Sequence, residues 1–164
     1  MNPEFSIIIP TLDNFHDIQE VIPYINSQIL PPKEVVIVDS SLSNEIQEGL
    51  ETIESSVPIT YLRVGRAYRF DRLLRYIFSF PFLSNYKHQF PPGRAFPYEA
   101  TNAGSEIAKY EWLGFLDTTT FPVETWLEDY WKFINSHKCD VIFGRTKYIA
   151  TTDFQKLLRA STYG

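Results

Sequence analysis

The apolar positions of this chain follow two rhythms in turn. "FSIIIP" (residues 5–10) and "EVVIVD" (34–39) are unbroken runs rich in β-branched residues, the pattern of strands buried on both faces. "ITYLRV" (59–64), "WLGFLD" (112–117) and "DVIFG" (140–144) supply a third, fourth and fifth strand candidate. Between them the spacing turns helical. Ile18, Val21, Ile22, Ile25 and Ile29 make one stripe, with Pro23 inside it predicting a kink or a later start. Ser43 can cap a helix carrying Ile46, Leu50 and Ile53. Ala100, Ala103, Ile107 and Ala108 form a narrow face of small residues. Pro122 fits the first turn of a further helix with Trp126, Leu127, Tyr130, Trp131 and Ile134 on its apolar side.

Strands alternating with helices predict an α/β domain with a mostly parallel central sheet flanked by helices. Ligands on such sheets gather at the carboxyl ends of the strands. Three of the predicted strands end in polar residues: Thr11 and Asp13, then Asp39, then Asp117. That convergence is the functional signal. At 164 residues the chain suits one domain, spanning 1–164.

Composition narrows the classes. Aromatic residues at 16% speak for a packed core, and a net charge of −5 against a general nucleic-acid binder. One cysteine, Cys139, excludes a disulfide framework and a cysteine-cluster metal site. His16, His88 and His137 share no metal-ligand spacing. The start "MNPEFSIIIPT" lacks a secretory pattern, and no apolar run approaches the ~18 residues of a membrane span, so a cytoplasmic location is expected. The last residues, after the helix-like "DFQKLLRAST", do not read as a natural end, and a C-terminally truncated domain is expected.

Two short stretches carry chemistry. "IIIPTLDN" is a strand followed by ordinary turn residues, and "VVIVDSS" places an acid where many such folds receive a nucleoside's hydroxyl or N–H donors. No G-x-G-x-x-G follows the first strand and no G-x-x-x-x-G-K-[ST] occurs, so neither phosphate-binding glycine loop is present. Four segments in order, "FSIIIPTLDN", "EVVIVDSS", "ATNAGSEIAKYEW" and "GFLDTTTFPVETWLE", resemble the family 2 glycosyltransferases, whose GT-A fold binds a nucleotide-sugar donor. The resemblance spans about residues 5 to 128.

By position, it implies that Pro10 and Thr11 lie against the donor's base and ribose, and Asp13 is counted with them as nucleotide-binding. Asp39 is implied to accept a hydrogen bond from the base, which suits the imide N–H of uracil. Asn102 and Gly104 match the family's "RN-x-G" helix start, with Thr101 in place of the usual arginine. Arg94, in "PPGRAFPYEATNAG", is a candidate for the missing cation, against the plain reading of a solvated loop arginine. Asp117 matches the first acid of the Asp-x-Asp motif that holds a divalent cation on the donor's phosphates, but Thr119 stands at the second. The Thr119 hydroxyl can be a neutral metal ligand or bond a ribose or phosphate oxygen, so the resemblance implies that Asp117 and Thr119 bind the nucleotide, with a weak Mg²⁺ or Mn²⁺ site at Asp117 or metal independence.

The section from about 65 to 97 departs from the family. Arginines at 63, 66, 69, 72 and 75 drift around a helix axis, while Phe70, Leu73, Leu74, Ile77 and Phe78 share one face. Three readings stand: an inserted helix packed on the core, a peripheral contact of residues 69–83 with the inner face of a membrane, or attraction of phosphate. For the whole chain the resemblance implies transfer of a sugar, from a UDP-sugar in preference, to a glycan or lipid-linked hydroxyl acceptor in polysaccharide biosynthesis. The general base of such a reaction is expected beyond Gly164, so no catalytic residue is assigned. The alternatives are a non-catalytic nucleotide-sugar binding module and a phosphatase-like hydrolase using Asp117, since "FLDTTTF" partly matches D-x-D-x-T.

Overall fold

Ile7, Ile8 and Ile9 have no exposed surface, as a run of three isoleucines requires when both faces of its strand are covered. They form the centre of β1 (Phe5–Thr11) in a computed structural model that describes residues 3–65, 94–147 and 152. β2 (Glu34–Asp39) is buried along its whole length, and β3 (Ile59–Arg63) and β4 (Trp112–Phe115) lie further out. All pairings are parallel, in the order β3-β2-β1-β4. The chain therefore builds outward from β1 through β2 to β3, then crosses back to add β4 on the other side of β1. The order reverses between β1 and β4, the place where open parallel sheets leave a crevice at their carboxyl ends.

The helices are α1 (Phe15–Asn26), α2 (Glu45–Leu50), α3 (Pro97–Ile107) and α4 (Trp126–His137). Ile7, Ile9, Val35 and Ile37 point to one face, where they pack with Ile18, Val21, Ile22 and Ile25 of α1, Ile46 of α2 and Leu127 of α4. Ile8, Val36 and Val38 point to the other face and meet Ala100 of α3. Alternation within a strand thus serves two cores at once. Gly104 lets α3 lie close to the sheet, since a Cβ there would come within 2.7 Å of Ile8 Cγ2 and 2.8 Å of Val38 Cγ2.

Two polar side chains fasten the scaffold. Glu34, 2% exposed, accepts hydrogen bonds from Ser6 Oγ at 2.7 Å and from the Lys109 amide at 2.6 Å, at the amino ends of the strands. Gln28, just past α1, donates to the carbonyls of Tyr24 and Val123 and accepts from the Leu127 amide.

Several local expectations are corrected. Pro23 lies within α1 near its last turn, and the helix ends at Asn26, leaving Ile29 60% exposed. Asn44 rather than Ser43 precedes α2, and Ile53 lies beyond its end. Pro122 is not in the first turn of α4, which starts at Trp126; the intervening residues are held by the bonds from Gln28 and by Ile29 N–H on the Glu124 carbonyl at 2.9 Å. Residues 141–144 form no strand, and Val141 and Phe143 are exposed. An apolar run has strand propensity, but only a partner edge makes it a strand, and among the described residues none pairs with it. The arginine-rich helix expected within 65–97 and the helix expected at 153–162 lie outside the described residues. No helix among the described residues is long and apolar enough to cross a membrane.

Candidate functional site

The parallel register brings the predicted polar residues to one end of the sheet. Thr11 is level with Asp39, and Asp39 with Arg63, while Asp117 follows β4 two residues after Phe115, the partner of Ile8. Pro10 and Thr11 close β1, so with Asp117 they flank the crevice where the strand order reverses.

Asp39 has no exposed surface. Its Oδ1 accepts the Ser41 amide at 2.7 Å, while Oδ2 accepts the Tyr61 hydroxyl at 2.7 Å and Arg63 Nη2 at 3.3 Å. Tyr61 and Arg63 alternate onto the same face of β3, which is why both reach one carboxylate. Burial and the neighbouring Asp39 charge raise the Tyr61 pKa above its usual value of 10.0, with Arg63 opposing. Arg63 is further fixed by Asn44 Oδ1 and the Ser43 carbonyl, tying β3 to the turn before α2.

A second chain of contacts starts from Ser41. Its hydroxyl accepts the Asp13 amide at 2.7 Å, and the Asp13 carboxylate pairs with Arg94 Nη2. Asp13 takes a left-handed backbone (φ 50°), a conformation Asp tolerates better than most residues. The Arg94 backbone forms an isolated antiparallel bridge with Gly65, two residues beyond β3. Two buried polar atoms here have no partner among the described residues: Thr11 Oγ1, on a residue 6% exposed, and Arg94 Nε. Buried polar groups are almost always paired, so these two atoms are exceptions.

Asp117 stands at the other side of the crevice. Its Oδ1 accepts both the amide of Thr119 at 2.9 Å and the Thr119 hydroxyl at 2.7 Å, an Asx-type turn closed by Thr120 N–H on the Asp117 carbonyl. Oδ2 has no hydrogen-bond partner among the described residues. The threonine hydroxyl therefore braces the carboxylate rather than adding an independent ligand. Among the described residues no three His, Cys, Asp or Glu side chains are grouped to hold a metal ion. One open carboxylate oxygen fits a hard cation that takes its remaining ligands from phosphates and water, and does not fit an all-protein cage. Asn102 is exposed on α3, one turn from its start, where Glu99 accepts the Phe96 amide at 2.7 Å.

The structure thus joins Asp39, Asp13 and Arg94 through Ser41, with Thr11 alongside through its carbonyl on the Ser40 amide, and sets Asp117 and Thr119 apart in a turn of their own. Ser41, Tyr61 and Arg63 were not anticipated as site residues. Their signal was the register, since Arg63 sits directly beside Asp39 once β2 and β3 pair in parallel.

No family model and no curated protein matches the chain. Solved structures do. The S. aureus TarS 1-349 structure in complex with UDP-GlcNAc is 22% identical with a TM-score of 0.59, over 89% of this chain and 37% of that one. The same fragment in complex with UDP gives 21% and 0.60, over 89% and 38%. The mannosyltransferase PcManGT from Pyrobaculum calidifontis, in complex with GDP-Man and Mn²⁺, gives 19% and 0.57, over 82% and 33%. This chain spans 33% to 38% of the chains in those structures. The likeness is one of fold: the parallel sheet flanked by helices is the GT-A arrangement.

Proposed function

We propose that the chain is the donor-binding portion of a glycosyltransferase, which takes a nucleotide-diphospho-sugar, UDP-sugars in preference, and passes the sugar to a hydroxyl of a glycan or lipid-linked acceptor in polysaccharide biosynthesis. The observation that carries this reading is the placing of Thr11, Asp39 and Asp117 at the ends of three adjacent parallel strands, around the point where strand order reverses. Three solved structures sharing the fold hold UDP-GlcNAc, UDP, or GDP-Man with Mn²⁺, which supports a nucleotide-sugar ligand.

In this reading Pro10 and Thr11 lie against base and ribose, and the unpartnered Thr11 hydroxyl gains a hydrogen bond. Asp39 accepts the base N–H on Oδ2 in exchange for its longer contact there, that of Arg63 at 3.3 Å. Asn102 borders the nucleotide from α3. Asp117, braced by Thr119, presents its open oxygen toward the diphosphate. A Mg²⁺ or Mn²⁺ ion held there would neutralise charge on the departing nucleoside diphosphate.

Calorimetric titration with UDP, GDP and dTDP, with and without Mn²⁺ and with turnover followed in parallel, tests the reading. UDP binding that tightens with Mn²⁺ is expected; no binding across all three nucleotides overturns it. A second reading, a non-catalytic nucleotide-sugar binding module, is favoured by one observation, the threonine at the place of a second carboxylate. Binding without hydrolysis or transfer supports that reading.

A further inference from the structure

The path of Arg94 across the site is not accounted for by donor binding alone. Its backbone is anchored beside Gly65, beyond the outer strand β3, yet its guanidinium reaches Asp13, beyond β1. Strands lie ~4.8 Å apart, so β3 and β1 are separated by roughly 10 Å. The side chain therefore runs across the carboxyl end of β2, where Ser41 links Asp39 to Asp13. It is only a quarter exposed, at 25%, and Asp13 is 38% exposed. Nε is buried with no acceptor, so the pair with Asp13 leaves the guanidinium incompletely satisfied. Asp13 is held in place for this contact by its left-handed backbone and by the Ser41 hydroxyl.

We propose that Asp13 is an internal counter-ion that holds Arg94 over the strand ends while the site is empty, and that an incoming diphosphate takes Arg94 from it. The proposal deepens the donor-binding reading, on which it rests for the nucleoside part of the ligand. A diphosphate offers several charged acceptor oxygens in place of two, enough for Nε as well as Nη2. Asp13 is then a positioning residue whose charge opposes binding, and it acts through Arg94.

The test is titration of pyrophosphate and of UDP into the wild-type chain and into Asp13→Asn, Asp13→Gly, Arg94→Gln and the double variant Asp13→Asn/Arg94→Gln. Asn and Gly both accept a left-handed backbone, so each removes the carboxylate without straining the turn. Both Asp13 variants are expected to bind pyrophosphate up to about fivefold more tightly, the range of a partly exposed ion pair. Arg94→Gln is expected to weaken binding about tenfold or more. In the double variant the gain from Asp13→Asn disappears. The proposal is overturned if wild type does not bind pyrophosphate, or if the Asp13 variants bind no more tightly and lose only thermal stability, the result of a purely structural strap. If pyrophosphate follows the expected pattern but UDP binds no better than pyrophosphate, the counter-ion stands and the nucleotide reading fails.

Discussion

The Tyr61 hydroxyl donates to Asp39 Oδ2 at 2.7 Å, on a carboxylate that has no exposed surface. The bond requires the phenol to keep its proton, and burial and the Asp39 charge both favour that form. The folded-state pKa of Tyr61 therefore lies above the unfolded value of 10.0. A group whose pKa is raised on folding contributes stability in full below its unfolded pKa, and loses that contribution as pH rises through the folded value. Urea denaturation from about pH 8 to about pH 11 should show stability falling above about pH 10. Tyr61→Phe should be less stable at neutral pH by about 1 kcal/mol, with a shallower fall. Equal slopes for the two proteins would remove the assigned role of this bond.

Asp117 and Thr119 are expected to behave oppositely on substitution. Asp117→Ala removes the open carboxylate oxygen, and UDP binding should weaken about tenfold, a loss of ~1.4 kcal/mol. Thr119→Asp replaces a hydroxyl brace with a second carboxylate, so binding should become more strongly dependent on Mn²⁺ and more sensitive to EDTA. Calorimetry with and without the metal reads both. If neither substitution changes binding, this turn does not face the diphosphate.

Gln28 satisfies two carbonyls and one amide between the end of α1 and the start of α4. Gln28→Leu keeps the bulk in a position only 5% exposed, but takes the acceptor from the Leu127 amide, while the Tyr24 and Val123 carbonyls keep Ser27 Oγ and the Trp126 amide as donors. The expected cost is about 2 kcal/mol of unfolding free energy, and amide exchange should quicken at Leu127. An unchanged urea midpoint would show that water replaces the side chain there.

Gly104→Ala sets two effects against each other. Alanine favours a helix over glycine by about 1 kcal/mol. A Cβ 2.7 Å from Ile8 Cγ2 and 2.8 Å from Val38 Cγ2 forces α3 off the sheet, at about 1–3 kcal/mol. The balance should be net destabilisation, read as a lower melting temperature. A more stable variant would mean that α3 has room to shift.

The buried strands were legible in the sequence because their runs are short and β-branched. Ile7, Ile8 and Ile9, like Val35 to Val38, are apolar at every position, which with Ile and Val throughout favours a strand covered on both faces over a buried helix. The strand-end acids followed from that placement. What escaped the sequence depended on partners far along the chain. Pro122 has the chemistry of a helix start, but contacts from Gln28 and Ile29 hold that stretch outside the helix. Val141 and Phe143 have strand character and no edge to join among the described residues. The pairing of Asp13 with Arg94 has no local signature at all, since Asp, Asn and Pro after a strand read equally well as a turn.

The bracketing of the Asp117 turn has a consequence for how any ligand is received. On one side the Leu116 amide is bonded to the Ile8 carbonyl in the centre of the sheet. On the other the Val123 carbonyl is held by Gln28, and within the turn Thr119 binds the carboxylate twice. A segment pinned at both ends and across its middle samples few conformations before anything binds. The ordering entropy of a free loop, about 1–2 kcal/mol per residue, is largely absent from the association step. Affinity at this turn is then decided by charge and contact, and a flexible replacement of residues 118–120 should slow productive docking even with Asp117 intact.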